Sequence, residues 1–267
     1  MKRKLQALAV LLLMGVVKLP LEQRVTQNLR AVHLLEEPIS SGAWVTMGQS
    51  GLAAVLGGLR GLFASILQLR AHVEFTRVNW AQVDSLYKAV TLLQPRNESY
   101  WDEASWHMAY NAAGFYLFNR DQDQKRTPEL RGEYYHQHVQ RGIEILEEGL
   151  KARPDSSRLW ERLADIYDRR SYEFKKAGDA YMKSVQLGGS NYALHFAGFA
   201  YAKAQDPESW KKAYAILRSE YDKGRSTPGL VEHLKNVEMY LNVPRDKRIK
   251  DAMPVPKVPQ KMVGPLR

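Results

Sequence analysis

Serine, histidine and carboxylate side chains are the groups in this chain with the means to do chemistry, because cysteine is absent. Gly48, Gln49, Ser50 and Gly51 approach the G-x-S-x-G nucleophile elbow, which exposes a serine oxygen on a sharp strand-to-helix turn. Leu52 stands where that turn needs its second glycine, and no strand-like run precedes it. Gly57, Gly58 and Gly61 do not spell a phosphate-cradling G-x-G-x-x-G and fall within a helical apolar pattern, so they read as packing glycines. His136 and His138 are two residues apart, which sends them to different sides of a helix, whereas zinc prefers the i, i+4 spacing and a third ligand. Glu147 and Glu148 are adjacent and read as a solvated face, not as a paired acid and base. Asn97, Glu98 and Ser99 spell a glycosylation sequon. Catalytic residues, a metal and a cofactor are therefore not expected.

Composition narrows the partner classes. The chain of 267 residues is 45% hydrophobic and 25% charged, which suits a soluble body of one large or two small domains. Without cysteine there are no disulfides, thiolate metal sites or thiol nucleophiles, and either redox compartment is allowed. The formal net charge is +10, of which Lys2, Arg3 and Lys4 carry +3 and residues 243–267 carry +5, leaving +2 for the body. That is too little to track nucleic-acid phosphates, so nucleic acid is not the expected partner.

The same three basic residues precede an apolar run from Leu5 to Val17, the layout of a bacterial export signal. Leu5, Leu8, Leu11, Leu12, Leu13, Val16 and Val17 are its membrane-facing candidates. Lys18, Leu19 and Pro20 follow with no small-residue cleavage site, so residues 1–21 are expected to stay as an anchor, with secretion after cleavage as the alternative. The bulk of the chain would then lie at the periplasmic face of a bacterial inner membrane. A second apolar region, Trp44–Leu69, contains Arg60 as its one formal charge. Leu52, Val55, Leu56, Leu59, Leu62, Phe63, Ile66 and Leu69 follow the spacing of an amphipathic helix, and Gly57, Gly58, Gly61, Ala64 and Ser65 make another face small. This pattern points to a packed or membrane-surface helix more than to a second membrane span.

A repeat organises the middle of the chain. Val83, Tyr87, Val90 and Pro95 recur in spacing as Gly142, Leu146, Gly149 and Pro154, and each proline is followed six residues later by a tryptophan, Trp101 or Trp160. Ala104, Ser105 and Met108 follow the first tryptophan at the separations at which Leu163, Ala164 and Tyr167 follow the second. Leu194, 34 residues beyond Trp160, begins the series again with Ala197, Gly198 and Tyr201. These residues resemble the tetratricopeptide repeat, in which two antiparallel helices interlock through large and small residues and a proline ends the second.

The resemblance covers residues 79–242 and implies an all-α solenoid. The expected organisation is an anchor over 1–21, a linker over 22–50, the solenoid over 51–242 and a proline-rich basic tail over 243–267. The 59 residues between Pro95 and Pro154 exceed one period, so an insertion is expected near 117–133. Ser226, Thr227 and Pro228 begin a closing helix striped by Leu230, Leu234, Val237 and Leu241. In the family, the first helices line a groove for a protein or peptide. The corresponding positions here are Ser99, Asp102, Trp106, Ala109 and Tyr110, then Arg158, Glu161, Asp165, Asp168 and Arg169, then Tyr192, His195, Phe199, Ala202 and Lys203.

Trp106, Tyr110, Tyr192 and Phe199 are the expected apolar anchors, and Arg158 and Arg169 a clamp for an acidic residue or chain terminus. The lysine and asparagine with which some members hold a terminal carboxylate are not matched. What the resemblance implies is a non-catalytic scaffold for a protein partner in the bacterial envelope. The alternatives are a structural subunit docking through its tails in a larger complex, and a hydrolase-like enzyme.

Overall fold

Five helices in this chain begin where a short polar side chain satisfies an amide proton that the first turn leaves without an intrahelical acceptor. In the computed structural model, which describes Lys18, Pro20, 22–32, 59–118 and 126–250, every regular element among the described residues is helical. The expected anchor residues Leu5 to Val17, the Gly48–Gly51 motif and the tail beyond residue 250 lie outside the described residues. Residues 22–31 are helical. From Arg60 onward, ten α-helices pack in sequence, an arrangement consistent with a helical repeat: α1 Arg60–Thr76, α2 Trp80–Leu93, α3 Glu98–Trp106, α4 Ala113–Phe118, α5 Pro128–Ala152, α6 Ser157–Ile166, α7 Phe174–Gln186, α8 Asn191–Lys203, α9 Pro207–Asp222 and α10 Pro228–Tyr240. Asn79, Thr127, Ser156, Asp206 and Thr227 cap α2, α5, α6, α9 and α10 through their side-chain oxygens. Pro128, Pro207 and Pro228 occupy first turns, where a missing N–H costs no hydrogen bond. Among the described residues no helix is long and apolar enough to cross a membrane.

The chain divides into two compact units, Met1–Tyr100 and Trp101–Arg267. In the first, α1 and α2 form an antiparallel hairpin around Ala64, Val90, Leu93 and Tyr100, with Phe63 and Leu67 packed against them. Arg60, the charge that disfavoured a membrane span, donates from Nε to the Leu93 carbonyl at 3.0 Å and so caps the end of α2.

In the second unit, close approach at glycine sets the packing. A Cβ added at Gly142 would come 2.6 Å from the Ala109 Cβ and 3.0 Å from the Ser105 carbonyl oxygen. One at Gly149 would come 2.8 Å from the Trp101 Cγ, one at Gly178 2.5 Å from a Tyr201 ring carbon, and one at Gly198 2.6 Å from the Leu217 Cδ2. Each glycine is thus a notch for a side chain or backbone on a neighbouring helix. Trp101 sinks onto Gly149 and is buried. Trp160 instead stays half-buried and donates its indole N–H to the Pro154 carbonyl at 3.2 Å.

Much of the expected insertion is absorbed by longer helices, since α5 has 25 residues where α7 has 13. The closing helix α10 buries Leu230, Leu234 and Val237 completely. The tail, expected to be extended from residue 243, first turns back in a short 3-10 helix, Arg245–Lys247. Its cause is the buried Glu238 carboxylate, which accepts the Ile249 N–H at 3.1 and 3.2 Å, while Arg218 donates to the Lys247 carbonyl at 2.9 Å.

Two alanine substitutions in α5 should therefore have opposite signs. Gly142→Ala drives a methyl into the backbone of the preceding helix and is expected to lower stability by about 1–3 kcal/mol. Gly132→Ala meets open space and should raise it by about 0.5–1 kcal/mol through helix propensity. Urea unfolding of both variants followed by circular dichroism checks this; equal effects would show that Gly142 is not a packing notch.

Candidate functional site

Two first helices of the second unit contain π-helical turns at matching places. One is His107–Ala112, between α3 and α4, and the other is Tyr167–Ser171, after α6. A π turn carries an added residue, so side chains beyond it shift around the helix relative to the ordinary period. Tyr110 and Arg169, one in each π turn, line one cleft of about 420 Å3, together with Asp102, Glu103, Ser105, Trp106, Arg162, Asp165 and Ile166. Ser105 and Ile166 are buried, whereas Trp106 is 49% exposed, an unusual exposure for the largest apolar side chain. Its ring meets His107 edge to face at 5.3 Å.

Both aspartates of the cleft are held by arginines. Asp102 accepts two hydrogen bonds from Arg158, at 2.6 and 3.1 Å, and lies 3.3 Å from the Arg162 Nε. Arg162 turns its other arm to Asp165 at 3.1 Å, and Arg169 reaches the same carboxylate at 3.5 Å. The Tyr181 hydroxyl donates to Asp165 at 2.8 Å. Burial, then the Asp165 charge and hydrogen bond, push the Tyr181 pKa far up, so the hydroxyl stays a donor at all ordinary pH. Tyr110 is shifted the same way by burial and Asp165, against the pull of Arg169, Arg170 and Arg162. The Arg170 guanidinium lies 4.2 Å over the Tyr110 ring, a cation–π contact. Arg162 thus joins α6 to α3 through Asp102 and is held on its own helix by Asp165.

No protein-family model matches this chain, and no curated protein matches it. The site stands on its own chemistry.

Of the residues expected in a groove, Trp106, Tyr110, Asp165 and Arg169 line this cleft. Arg158 lies at its Asp102 edge, and Glu161 accepts a hydrogen bond from Ser190 at 3.0 Å. The remaining candidates lie outside the lining of this cleft. Lys203 holds both oxygens of Asp168, at 2.8 and 3.0 Å, and Phe199 stacks on His233 with ring centres 4.8 Å apart. His195 bonds the buried Glu220 carboxylate at 2.8 Å, and Tyr192 is 70% exposed. Ala109, expected to face the groove, is fully buried against the Gly142 notch, and Ala202 is buried too. Arg158 and Arg169, expected to clamp an incoming carboxylate, already carry Asp102 and Asp165. An incoming acid would have to compete with those mostly buried carboxylates for the arginines.

Sequence reasoning missed Arg162 and Tyr181. Arg162 was detectable, because it stands four residues after Arg158 and three before Asp165 on one face of α6. Tyr181 reaches Asp165 from another helix, and no local spacing announces such a contact. Among the described residues, no group of three His, Asp or Glu stands where it could hold a metal. His138 bonds the Tyr134 carbonyl at 2.7 Å, and Glu147 accepts from the Tyr167 hydroxyl at 3.2 Å.

The Glu220 cluster has a pH signature. Burial raises the pKa of this carboxyl, but hydrogen bonds from Lys223, His195 and Arg225 outweigh burial and bring it from 4.5 to about 2. A folded pKa below the unfolded one stabilises fully above pH 4.5, and the contribution is lost as pH falls through about 2. Glu220→Gln should cost about 1–3 kcal/mol at pH 7 and flatten the decline in stability between those two pH values. Chemical denaturation across the acid range measures both; an unchanged acid slope would assign the decline to other carboxylates.

Proposed function

We propose that this chain is a non-catalytic scaffold of the tetratricopeptide-repeat type, and that it holds an extended segment of a protein partner in the cleft of Trp106, Tyr110 and Arg162, at the periplasmic face of a bacterial inner membrane. The pairing of α1 with α2, of α3 and α4 with α5, of α6 with α7 and of α8 with α9, closed by α10, supports the repeat type. The observation that carries the binding role is the half-exposed Trp106 at the edge of a cleft whose two aspartates are already held by arginines. An aromatic side chain held out to water by a rigid frame loses little freedom on binding, and such residues dominate interface energies.

The cleft suits a segment that sets an apolar side chain on Trp106 and offers polar backbone groups to its rim. Asp102 and Asp165 are held by guanidinium groups, and Tyr110 and Tyr181 are shifted away from neutrality. The raised Tyr110 and Tyr181 hydroxyls keep their protons at neutral pH, which favours holding over catalysis.

Selection from a displayed peptide library against the full chain tests this reading. Peptides enriched on the natural sequence should bind saturably and lose about thirtyfold or more in affinity on Trp106→Ala, with Tyr192→Ala as the neutral control. Peptides that bind the two variants alike, or no saturable binder, would contradict it.

A further inference from the structure

The hairpin of the first unit places its apolar surface in an unexpected way. The small face of α1 packs inward, with Ala64 and Ala71 fully buried, while Leu59, Leu62, Ile66, Leu69 and Val73 are 45% to 69% exposed. Their separations alternate between three and four residues, so the five form one narrow stripe about 21 Å long down the helix. Exposed aliphatic side chains in a single file cost free energy in water, and a contiguous apolar patch of this kind marks a contact surface.

The rims of the stripe indicate what covers it. Arg70 and Arg77 flank one side, and Ser65, His72 and Thr76 the other. Glu74, the one acid of α1, lies outside that arc, where it pairs with Arg77 at 3.1 Å and accepts from Asn79 at 2.9 Å. Arg70 is exposed and has no acidic partner among the described residues. The arc therefore joins a hydrophobic strip to a basic edge and has no negative charge of its own.

From this we infer that α1 is an interfacial helix, with its aliphatic stripe seated at the boundary between headgroups and acyl chains of an anionic lipid surface and the unpaired Arg70 against the phosphates. A moderate apolar stripe bordered by arginine is the composition that lies in a membrane surface rather than crossing it. A second copy of the chain is the other occupant that such spacing admits, as in a coiled coil. The rims argue against it: a parallel copy would set arginines opposite Ser65 and His72, and an antiparallel copy would set arginine opposite arginine. Neither arrangement supplies an acid. The inference extends the membrane location proposed above and is independent of what the cleft holds.

The absence of cysteine permits a direct test on the full chain. Nitroxide labels are placed one at a time through Ile66→Cys, Leu69→Cys and, as a control on the exposed side of α2, Ser85→Cys. With vesicles of phosphatidylglycerol and phosphatidylcholine, labels at 66 and 69 should become accessible to dissolved oxygen and protected from a water-soluble nickel complex, while the label at 85 stays in water. Leu62→Glu with Leu69→Glu should return the label at 66 to water without changing the helical circular dichroism, and pure phosphatidylcholine should weaken the protection.

Chain that floats with the vesicles while all three labels remain in water would overturn the interfacial helix and leave the membrane location standing. Chain that does not float would overturn both. Spin–spin broadening at 66 and 69 that is relieved by unlabelled protein would identify a second copy as the occupant and overturn the lipid assignment.

Discussion

Close approach of neighbouring helices at glycine is the constraint on which the second unit depends. Gly142 admits the backbone around Ser105 and Ala109, and Gly149 admits the indole of Trp101. These two contacts hold α5 tightly against the first helix of its pair. That helix in turn fixes where Asp102, Trp106 and Tyr110 stand. A methyl at either glycine pushes the pair apart, and the residues of the cleft lose their common frame. Interiors packed this closely transmit such a displacement instead of absorbing it.

Contacts between one first helix and the next are of a different kind. Arg158 and Arg162 of α6 meet Asp102 of α3, and Arg162 also meets Asp165 on its own helix. The carboxylates are mostly buried and the guanidinium groups are half in water, so the network contributes more to geometry than to stability. An ordinary exposed ion pair would do little. A shared guanidinium with a planar fork fixes distance and angle together, and so holds the cleft open at the place where Trp106 is left uncovered.

Much of the fold was legible because small residues, prolines and tryptophans recur at fixed separations. Gly142, Gly149 and Gly198 stand at positions where the repeat pattern asks for small residues, and each proves to be a notch. The closing helix was equally plain from Thr227, Pro228 and its four-residue stripe. The π turns were not legible, since one added residue in a helix leaves no mark in composition. Ala109 and Ala202 read as groove residues and are instead buried, the first in a helix with a π turn and the second in one without. Nor does a sequence state which charges are already spoken for, so Arg158 and Arg169 read as free clamps until Asp102 and Asp165 were seen beside them. In α1 both faces were recognised, the large and the small. Which one meets α2 depends on how near that helix comes, and Ala64 and Ala71 allow the nearer approach.

The central claim is that glycines seat aromatic rings between adjacent helices of the second unit, and proton NMR of the full chain tests it most directly. The Hα protons of Gly149 and Gly178 should show nuclear Overhauser contacts to the rings of Trp101 and Tyr201 and chemical shifts displaced by their ring currents. Unperturbed helical glycine shifts, with no contact to either ring, would contradict the packing from which the cleft is built.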